Sequence, residues 1–249
     1  MLTTLSNRKT IRKYTDKDIS PELLEEMLNA ACRSSTTGNM QVYSIIETRD
    51  RDMKKKLSPC HFNQPMVEQA PVVLTFCADF NRFNKWCRQR KADPGYDNFL
   101  SFMTASIDAI IAAQTFCVAA EEKGLGICYL GTTTYMAEKI IEILELPAGV
   151  VPVTTITVGW PAEDPAQVDR LPLEAIVHRE KYHDYPEKDI DKYYAEKEAR
   201  QDSKQFTEEN GLETLAQVFT DVRYKKSDNE TFSRLLLEVL KKQGFMQVS

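Results

Sequence analysis

The feature that most constrains this chain is a nearly uninterrupted apolar stretch at its middle. Between Ala109 and Ala120 the only polar residues are Gln114 and Thr115, so a helix through this window has almost no polar face. We therefore predict a core helix, buried nearly all round, that spans about 19 residues and roughly 28 Å. Asp108 and Gln114 argue against a membrane span, because lipid demands about 18 or more uninterrupted apolar residues.

Four short apolar runs alternate with helical patterns along the rest of the chain. The predicted strands are Val42 to Glu47, Val72 to Ala78, Ile127 to Leu130 and Val150 to Gly159. Apolar spacing and capping signals predict further helices from Pro21 to about Arg33, Lys54 to Leu57, Tyr135 to Leu146, Glu209 to Asp221 and Thr231 to Gln243. The stretch 34–39 is predicted to be irregular and the stretch 59–69 to be mobile. Strands separated by helices, with more helix than strand, indicate the α+β class.

Composition limits the functional classes. A chain of 249 residues is long enough for one large domain or two modest ones. The net charge of −5 and the pI near 5.4 leave no case for non-specific nucleic-acid binding. No export signal is visible, so we expect a cytoplasmic protein. The three histidines lack metal-ligand spacing, so we predict no metal site, and Cys77, Cys117 and Cys128 are interpreted as small buried side chains.

Cations and short polar side chains cluster in two places near the N-terminus. Arg8, Lys9, Arg12 and Lys13 fall within six residues, and hydroxyl and amide side chains fill the stretch 34–41. Such donors suit a phosphate and a polar heterocycle. The alternative is that the cations form solvated ion pairs with nearby aspartates while the polar stretch turns the chain, and the pattern alone favours this alternative. The sequence contains no P-loop, GxGxxG, HExxH or serine nucleophile motif.

Seven segments, in order along the chain, resemble the FMN-dependent nitroreductase family, and within it the NADPH-preferring branch of nitroreductases and flavin reductases that has a long C-terminal extension. The segments are RKTIRKYT at Arg8, STTGNMQVYSII at Ser35, FNQPMVEQAPVVLTFCAD at Phe62, GLGICYLG at Gly124, LELPAGVVPVTTITVGWPAE at Leu144, RLPLEAIVHREKY at Arg170 and LLEVLKKQGF at Leu236. Each segment alone is weakly specific, whereas their order and spacing together are specific.

The resemblance implies a nitroreductase-like fold, with a central, mostly antiparallel sheet flanked by helices, in an intertwined homodimer that holds FMN at the subunit interface. It also implies an FMN-binding core at 1–165 and a C-terminal extension at 166–249 that completes the FMN and NADPH site and wraps the dimer, the whole forming a single domain. The apolar helix would then lie in the dimer core.

The resemblance also assigns roles to matching residues. Arg8, with Lys9 and Thr10 beside it, matches the position that meets the FMN phosphate, and Arg170 matches a second phosphate cation. Arg12 resembles the residue that places a fixed positive charge at the pyrimidine edge of the flavin. The residues matching those that contact the ribityl chain or the ring are Thr37, Gly38, Asn39, Gln41, Gln64, Gly131 and Thr132.

For the 2′-phosphate of NADPH, the matching cations are Lys197 and Arg200, with Lys204 nearby. A solvated helix face is the alternative explanation of these charges. Two positions depart from the family pattern. Val168 replaces a lysine, from which we expect weaker FMN binding, and Met66 replaces an aromatic residue, from which we expect an altered ligand face over the flavin.

The function implied by the resemblance is a ping-pong reaction. NAD(P)H would give a hydride to N5 of the flavin, and the same site would then pass two electrons to a small-molecule acceptor, namely a nitroaromatic compound, a quinone or free flavin. No residue is assigned as a general acid, and neither nucleic acid nor membrane is expected as a partner. Two alternatives stay open: a flavoenzyme of the same fold with dehalogenating or flavin-fragmenting chemistry, and an FMN-binding or partner-binding dimer whose catalysis has decayed.

Overall fold

The computed structural model describes residues 2–247, and its centre is an antiparallel sheet of four strands in the order β1-β2-β4-β3. The strands are β1 Tyr43–Thr48, β2 Val72–Asp79, β3 Gly126–Leu130 and β4 Val150–Gly159. All four predicted strands are confirmed, with ends that differ by one residue at most. Every residue of β2 is buried, which explains its continuous apolar sequence.

The described residues also form eleven α-helices. They are α1 Leu2–Ser6, α2 Pro21–Cys32, α3 Arg51–Leu57, α4 Met66–Gln69, α5 Asn81–Gln89, α6 Phe99–Glu122, α7 Ala137–Ile143, α8 Glu187–Ala199, α9 Gln201–Glu209, α10 Leu215–Gln217 and α11 Lys226–Lys242. Short 3₁₀ turns lie at Thr37–Asn39, Ser58–His61 and Leu173–Ala175, and Val218–Arg223 forms a π-helical turn. The fold is therefore of the predicted α+β class.

Local capping explains where two helices begin. The Ser20 hydroxyl accepts a hydrogen bond from the Leu23 N–H, and proline occupies the first turn of α2, as predicted. The predicted helix from Glu209 to Asp221 is wrong. Gly211 has a φ of +63° just after α9, and Thr214 then caps the separate helix α10 because its hydroxyl satisfies a backbone N–H that has no partner within the helix.

The central helix α6 is longer than predicted and is buried on one side only. Its small residues Ala109, Ala112 and Ala113 are fully buried in a core that includes Phe76 of β2 and Leu24 of α2. The prediction of a helix buried all round is wrong for the single chain. The exposed apolar side chains of α6 are Phe99, Leu100, Met103, Ile107, Ile110 and Ile111. They recur every three or four residues, so they share one face.

By length and composition alone, α6 could cross a membrane. Half of its most apolar window is buried inside the protein, as in the core helix of a globular fold.

The chain divides into two compact units. The first comprises the residues up to Ala166 together with those from Phe232 onward, and the second comprises Gln167–Thr231. The first unit contains the whole sheet and the C-terminal part of α11. The second is helical, and within it the Tyr185 hydroxyl donates to the Ala175 carbonyl at 2.9 Å.

Candidate functional site

The N-terminal segment that carries the predicted phosphate cations lies against the end of the sheet. Thr10 forms a parallel bridge with Ile127, and the Ile11 N–H donates to the Ile127 carbonyl at 3.0 Å. This approach requires glycine at position 126, because a Cβ there would lie 2.6 Å from the Ile11 side chain. Gly159 of β4 pairs with Gly126 and leaves room for the same segment. Two paired glycines therefore position this segment.

Two cations of this segment lie beside carboxylates. Nε of Arg8 is 3.5 Å from Glu121, and Nζ of Lys9 is 2.6 Å from Asp164. These four residues, with Gly126, help to line a cavity of about 430 Å³. The cations thus face a space large enough for a small anion, and any such anion would compete with two carboxylates.

Glu121 is the more unusual of the two carboxylates. Burial raises the pKa of Glu121, and the nearby Arg8 guanidinium opposes that rise. Neither of its oxygens accepts a hydrogen bond from the residues that the structure describes. A carboxylate with so few partners is costly to bury, so the Arg8 guanidinium is the group that stabilises its charge.

The backbone around Arg12 is fixed by a third carboxylate. The N–H groups of Arg12 and Lys13 both donate to Glu163, at 2.7 and 3.2 Å. The Arg12 side chain is exposed. The structure therefore holds the backbone at this position and presents the guanidinium at the surface.

The stretch Ser34–Gln41, which we call the hydroxyl loop, is anchored on α6. Oδ1 of Asp108 accepts hydrogen bonds from the backbone N–H and the hydroxyl of Thr37, at 3.0 and 3.2 Å. Two turns further along α6, the Thr115 hydroxyl accepts from Ser34 at 2.7 Å. Asp108 is only 1% exposed, and its other oxygen has no partner among the described residues.

The hydroxyl loop also contains three left-handed residues, Gly38, Asn39 and Gln41, with φ between +52° and +56°. The Gln41 amide donates to the backbone carbonyl and the side-chain oxygen of Asn39, both at 3.1 Å. Arg82 donates to the Gln41 carbonyl as well. Backbone in the left-handed region costs energy for residues other than glycine, so these contacts and the Asp108 anchor hold a strained loop.

The stretch Ser58–Gln64, which we call the glutamine loop, is joined to the turn after β3. Nδ1 of His61 lies 2.8 Å from the Thr132 hydroxyl oxygen. Phe62 and Asn63, which precede Gln64, both lie in the left-handed region, at φ +56° and +54°. The segment 59–69, which was predicted to be mobile, contains a 3₁₀ turn, this hydrogen bond and α4.

The imidazole of His61 is fully buried. Burial lowers the pKa of His61 to about 4, so the ring is neutral at physiological pH. Its Nε2 has no partner among the described residues. A neutral ring uses one nitrogen as donor and the other as acceptor, so one hydrogen-bonding function of His61 is left for a further group.

The cations predicted to bind NADPH lie in the second unit, around one carboxylate. Nζ of Lys197 is 2.8 Å from Asp169, and Nε of Arg200 is 3.9 Å from it. Arg200 also forms a two-point pair with Asp202. Arg170, which the resemblance assigns to FMN, is exposed and adjacent to this group, and it donates to the Asp169 carbonyl at 2.8 Å.

The two residues that depart from the family pattern, Val168 and Met66, lie in different surroundings. Val168 is 64% exposed. Because valine is uncharged, this position adds no cation to the group around Asp169. Met66 is buried in a core cluster with Leu57 and Ile140. The expectation that Met66 alters a ligand face is therefore wrong, because its side chain faces the core. The exposed apolar side chain beside Gln64 is Phe62.

The predicted site residues therefore fall into groups. In the first unit these groups are the N-terminal segment, the hydroxyl loop, and the glutamine loop with Gly131 and Thr132. The second unit holds Arg170, Lys197 and Arg200. The hydrogen bond between His61 and Thr132 joins the segments that carry Gln64 and Thr132, which are far apart in the chain.

Four residues that organise these groups were missed by the sequence analysis: His61, Asp108, Glu121 and Asp169. Asp108 offered a usable signal, because a charged residue within an apolar helix calls for a partner. The others lie in polar or mixed stretches, where nothing in the sequence distinguishes a buried side chain from a solvated one.

Comparison with known proteins connects this arrangement to a family. Residues 5–160 match the model of the Nitroreductase family. The chain belongs to the nitroreductase family. The matched region contains the whole sheet and ends close to the boundary between the two units.

Relatives of this nitroreductase-family chain are similar over most of its length. It is 35% identical to "FMN reductase (NADPH)" of Bacillus subtilis, and the match covers 72% of this chain and 73% of that protein. It is 33% identical to "Oxygen-insensitive NADPH nitroreductase" of Salmonella typhimurium, and the match covers 76% of this chain and 77% of that protein. A crystal structure from Bacteroides fragilis shares 60% identity with a TM-score of 0.97, covering 98% of this chain and 100% of that one. The similarity to this solved structure therefore extends over both units.

Proposed function

We propose that this protein is an FMN-dependent NAD(P)H oxidoreductase that reduces nitroaromatic compounds, quinones or free flavin in a ping-pong reaction. Two relatives are named as an FMN reductase and a nitroreductase that use NADPH. The observation that carries the proposal is the hydrogen bond between His61 and Thr132. It joins the two segments that the resemblance assigns, independently of each other, to the flavin ring.

The residues present fit FMN. Arg8 and Lys9 line a cavity beside Gly126, where only glycine allows so close a backbone. Amide side chains of Gln41 and Gln64 supply donors and acceptors suited to a polar heterocycle, and the buried Nε2 of His61 lacks a partner among residues 2–247. Bound there, FMN would supply a hydride acceptor, N5, and the means of two-electron transfer to the second substrate.

The protein contributes binding and electrostatics. Arg12 provides a permanent positive charge near the pyrimidine edge of the ring, where negative charge accumulates on reduction. The hydroxyl loop and the glutamine loop orient the ring through their amides. Because no residue needs to act as an acid, the proton for the second substrate comes from water.

Arg8 and Lys9 bind the phosphate of FMN, which replaces Glu121 and Asp164 as the partner of their positive charges. Glu121→Gln should lower the Kd of FMN about fivefold, because it removes a negative charge 3.5 Å from Arg8 in a site of low polarity. Titration of apoprotein with FMN, followed by flavin fluorescence, measures this change. Glu25→Gln, at an exposed position of α2, is the control. An unchanged Kd in Glu121→Gln would show that the phosphate does not meet Arg8.

Lys197 and Arg200 give the preference for NADPH over NADH. Replacement of either with alanine should raise the KM for NADPH about tenfold and leave the KM for NADH unchanged, since only NADPH carries the 2′-phosphate. Lys188→Ala, at an exposed position of the same helix as Lys197, should change neither. Equal effects on both nucleotides would contradict this assignment.

The exposed apolar face of α6 supports a homodimer. Six large apolar residues on one helix face exceed the scattered exposure normal for a monomer, and a second copy would cover them. Ile107→Glu should yield a monomer in analytical ultracentrifugation, whereas Trp86→Glu, at a similarly exposed apolar residue on α5, should leave the dimer intact. A dimer that survives Ile107→Glu would exclude this face.

The decisive experiment is anaerobic stopped-flow reduction of the FMN-reconstituted protein by NADPH and by NADH, followed by flavin absorbance. Rapid bleaching by NADPH, then recovery of absorbance on addition of a quinone, is the expected result. Flavin that neither nucleotide bleaches would overturn the reductase proposal. Protein that takes up no FMN would instead support a decayed relative.

A further inference from the structure

Three aromatic side chains of the first unit form a cluster built on one stacked pair, which we call the stack. The rings of Tyr135 and Phe232 lie 4.4 Å apart with their planes 7° from parallel. Phe62 lies beside this pair: its centroid is 6.5 Å from that of Phe232, and its plane is tilted by 35° to it. The three residues come from the glutamine loop, the turn after β3 and α11, so the stack is assembled only by folding.

The position of this stack connects it with the predicted flavin contacts. Phe62 stands two residues before Gln64, and Tyr135 three residues after Thr132. The two segments that carry these rings are the ones joined by His61 and Thr132 at 2.8 Å. The stack therefore borders both segments that are assigned to the flavin ring.

Folding stability does not explain why phenylalanine occupies position 62. Its side chain is 53% exposed, so most of the gain from burying a ring is forgone. Its φ of +56° places a bulky residue in a backbone region that disfavours it. Strained residues of this kind persist where they serve a site. An exposed ring next to a parallel pair of rings is a surface on which a further flat ring can lie.

We propose that Phe62, Tyr135 and Phe232 form the wall on which a planar, electron-poor acceptor, a quinone or a nitroarene, stacks. This inference rests on the proposed function, and it names the part of the protein that selects the acceptor. The stack accepts a flat ring face to face, while aliphatic or spherical acceptors gain little from it.

The electronic character of the stack favours the oxidised substrate over its product. The faces of phenylalanine and tyrosine rings carry negative charge density, and the faces of quinones and nitroarenes are electron-poor. In the overall reaction, NADPH, a proton and a quinone give NADP⁺ and a hydroquinone, which is electron-rich. The attraction that holds the quinone is therefore lost on reduction, and the product leaves.

A binding experiment with redox-inert probes tests the wall without turnover. We would titrate FMN-reconstituted protein with pentafluorobenzoate, benzoate and cyclohexanecarboxylate by calorimetry. Stacking contributes about 0.5–1.5 kcal/mol, so the wild type should bind the first probe roughly three- to tenfold more tightly than the last. Phe62→Gly and Phe232→Leu should bind all three with nearly equal affinity, and Phe62→Tyr should retain the wild-type order. The same order in Phe62→Gly and in the wild type would overturn the proposal.

Phe62→Gly is the principal variant, because glycine adopts the positive φ without strain and the variant is expected to fold. Trp86→Leu, which removes an equally exposed ring elsewhere, should keep the wild-type order. In turnover, Phe62→Gly should raise the KM for a planar quinone about fivefold relative to the KM for ferricyanide, which needs no stacking. An equal loss with both acceptors would overturn the wall. Failure of NADPH to bleach the wild-type flavin would overturn the proposed function instead.

Discussion

The hydroxyl loop and the glutamine loop solve the same problem with different chemistry. Both contain consecutive or nearly consecutive left-handed residues. Each loop is also held by one buried polar side chain, whose hydrogen bond links the loop to a segment far away in the chain. The hydroxyl loop is anchored by the carboxylate of Asp108, which accepts a backbone N–H and a hydroxyl from Thr37. The glutamine loop is anchored by the neutral imidazole of His61, through one contact to Thr132.

This difference predicts different sensitivities. A buried carboxylate that satisfies a backbone N–H is hard to replace, because its loss leaves that N–H without a partner. A buried neutral imidazole is sensitive to acid, because protonation places a charge in an apolar environment. The hydroxyl loop should therefore respond most to mutation of its anchor, and the glutamine loop to pH.

The largest expected effect is that of Asp108→Ala. It removes both hydrogen bonds to Thr37 and leaves a small cavity, so the free energy of unfolding should fall by about 4 kcal/mol. Asp108→Asn, whose amide oxygen can still accept from the Thr37 N–H, should lose less than half as much. Chemical denaturation measures both values. Similar losses in the two variants would show that size, and not the acceptor, matters at this position.

The next effect is the response of the glutamine loop to acid. Because the pKa of His61 is lowered from its ordinary value of 6.5 to about 4, the unfolded chain binds this proton more readily than the folded one. Its contribution to stability is therefore fully present above pH 6.5 and is lost as the pH falls towards 4, by about 3 kcal/mol in all.

The difference in unfolding free energy between wild type and His61→Gln isolates this contribution from that of other groups. That difference should shrink as the pH falls through this range, since glutamine does not titrate. A difference that stays constant from pH 7 to pH 4 would mean that His61 is not held neutral in the folded protein.

The smallest effect concerns the strained backbone of the glutamine loop. Phe62→Gly should raise the free energy of unfolding by about 1 kcal/mol, because it relieves a bulky residue at positive φ. Asn63→Gly should raise it by only a few tenths, because asparagine tolerates the left-handed region better than phenylalanine does. Thermal unfolding of the two variants ranks them. A destabilised Phe62→Gly would show that packing against Phe232 outweighs the backbone strain.

Sequence patterns located the elements better than the contacts between them. The strands were predicted to within one residue because each is an apolar, β-rich run. The runs that form β2, β3 and β4 are also bounded by glycine, proline or aspartate. Ser20 and Pro21 marked the start of α2 for an equally local reason. The helix predicted from Glu209 to Asp221 is wrong because the apolar spacing was followed across Gly211, which lies just after α9, and Thr214, which caps α10.

The site residues show the same division. The resemblance supplied Gln64 and Thr132 as candidates, yet the imidazole that joins their segments went unnoticed, since no rule of spacing links His61 to a turn far along the chain. Met66 was expected at a ligand face and lies in the core, whereas Phe62, which attracted no attention, is exposed.

The sequence by itself determined the class of fold, the order of its strands and helices and the family, because each follows from local periodicity, capping and ordered motifs. Only the tertiary structure decided which side of α6 is covered, which carboxylates pair with Arg8, Lys9 and Lys197, and which rings stack with Phe232. These are contacts between segments far apart in the chain. Their energies depend on distance and burial in three dimensions, which a pattern of residue types along one dimension does not contain.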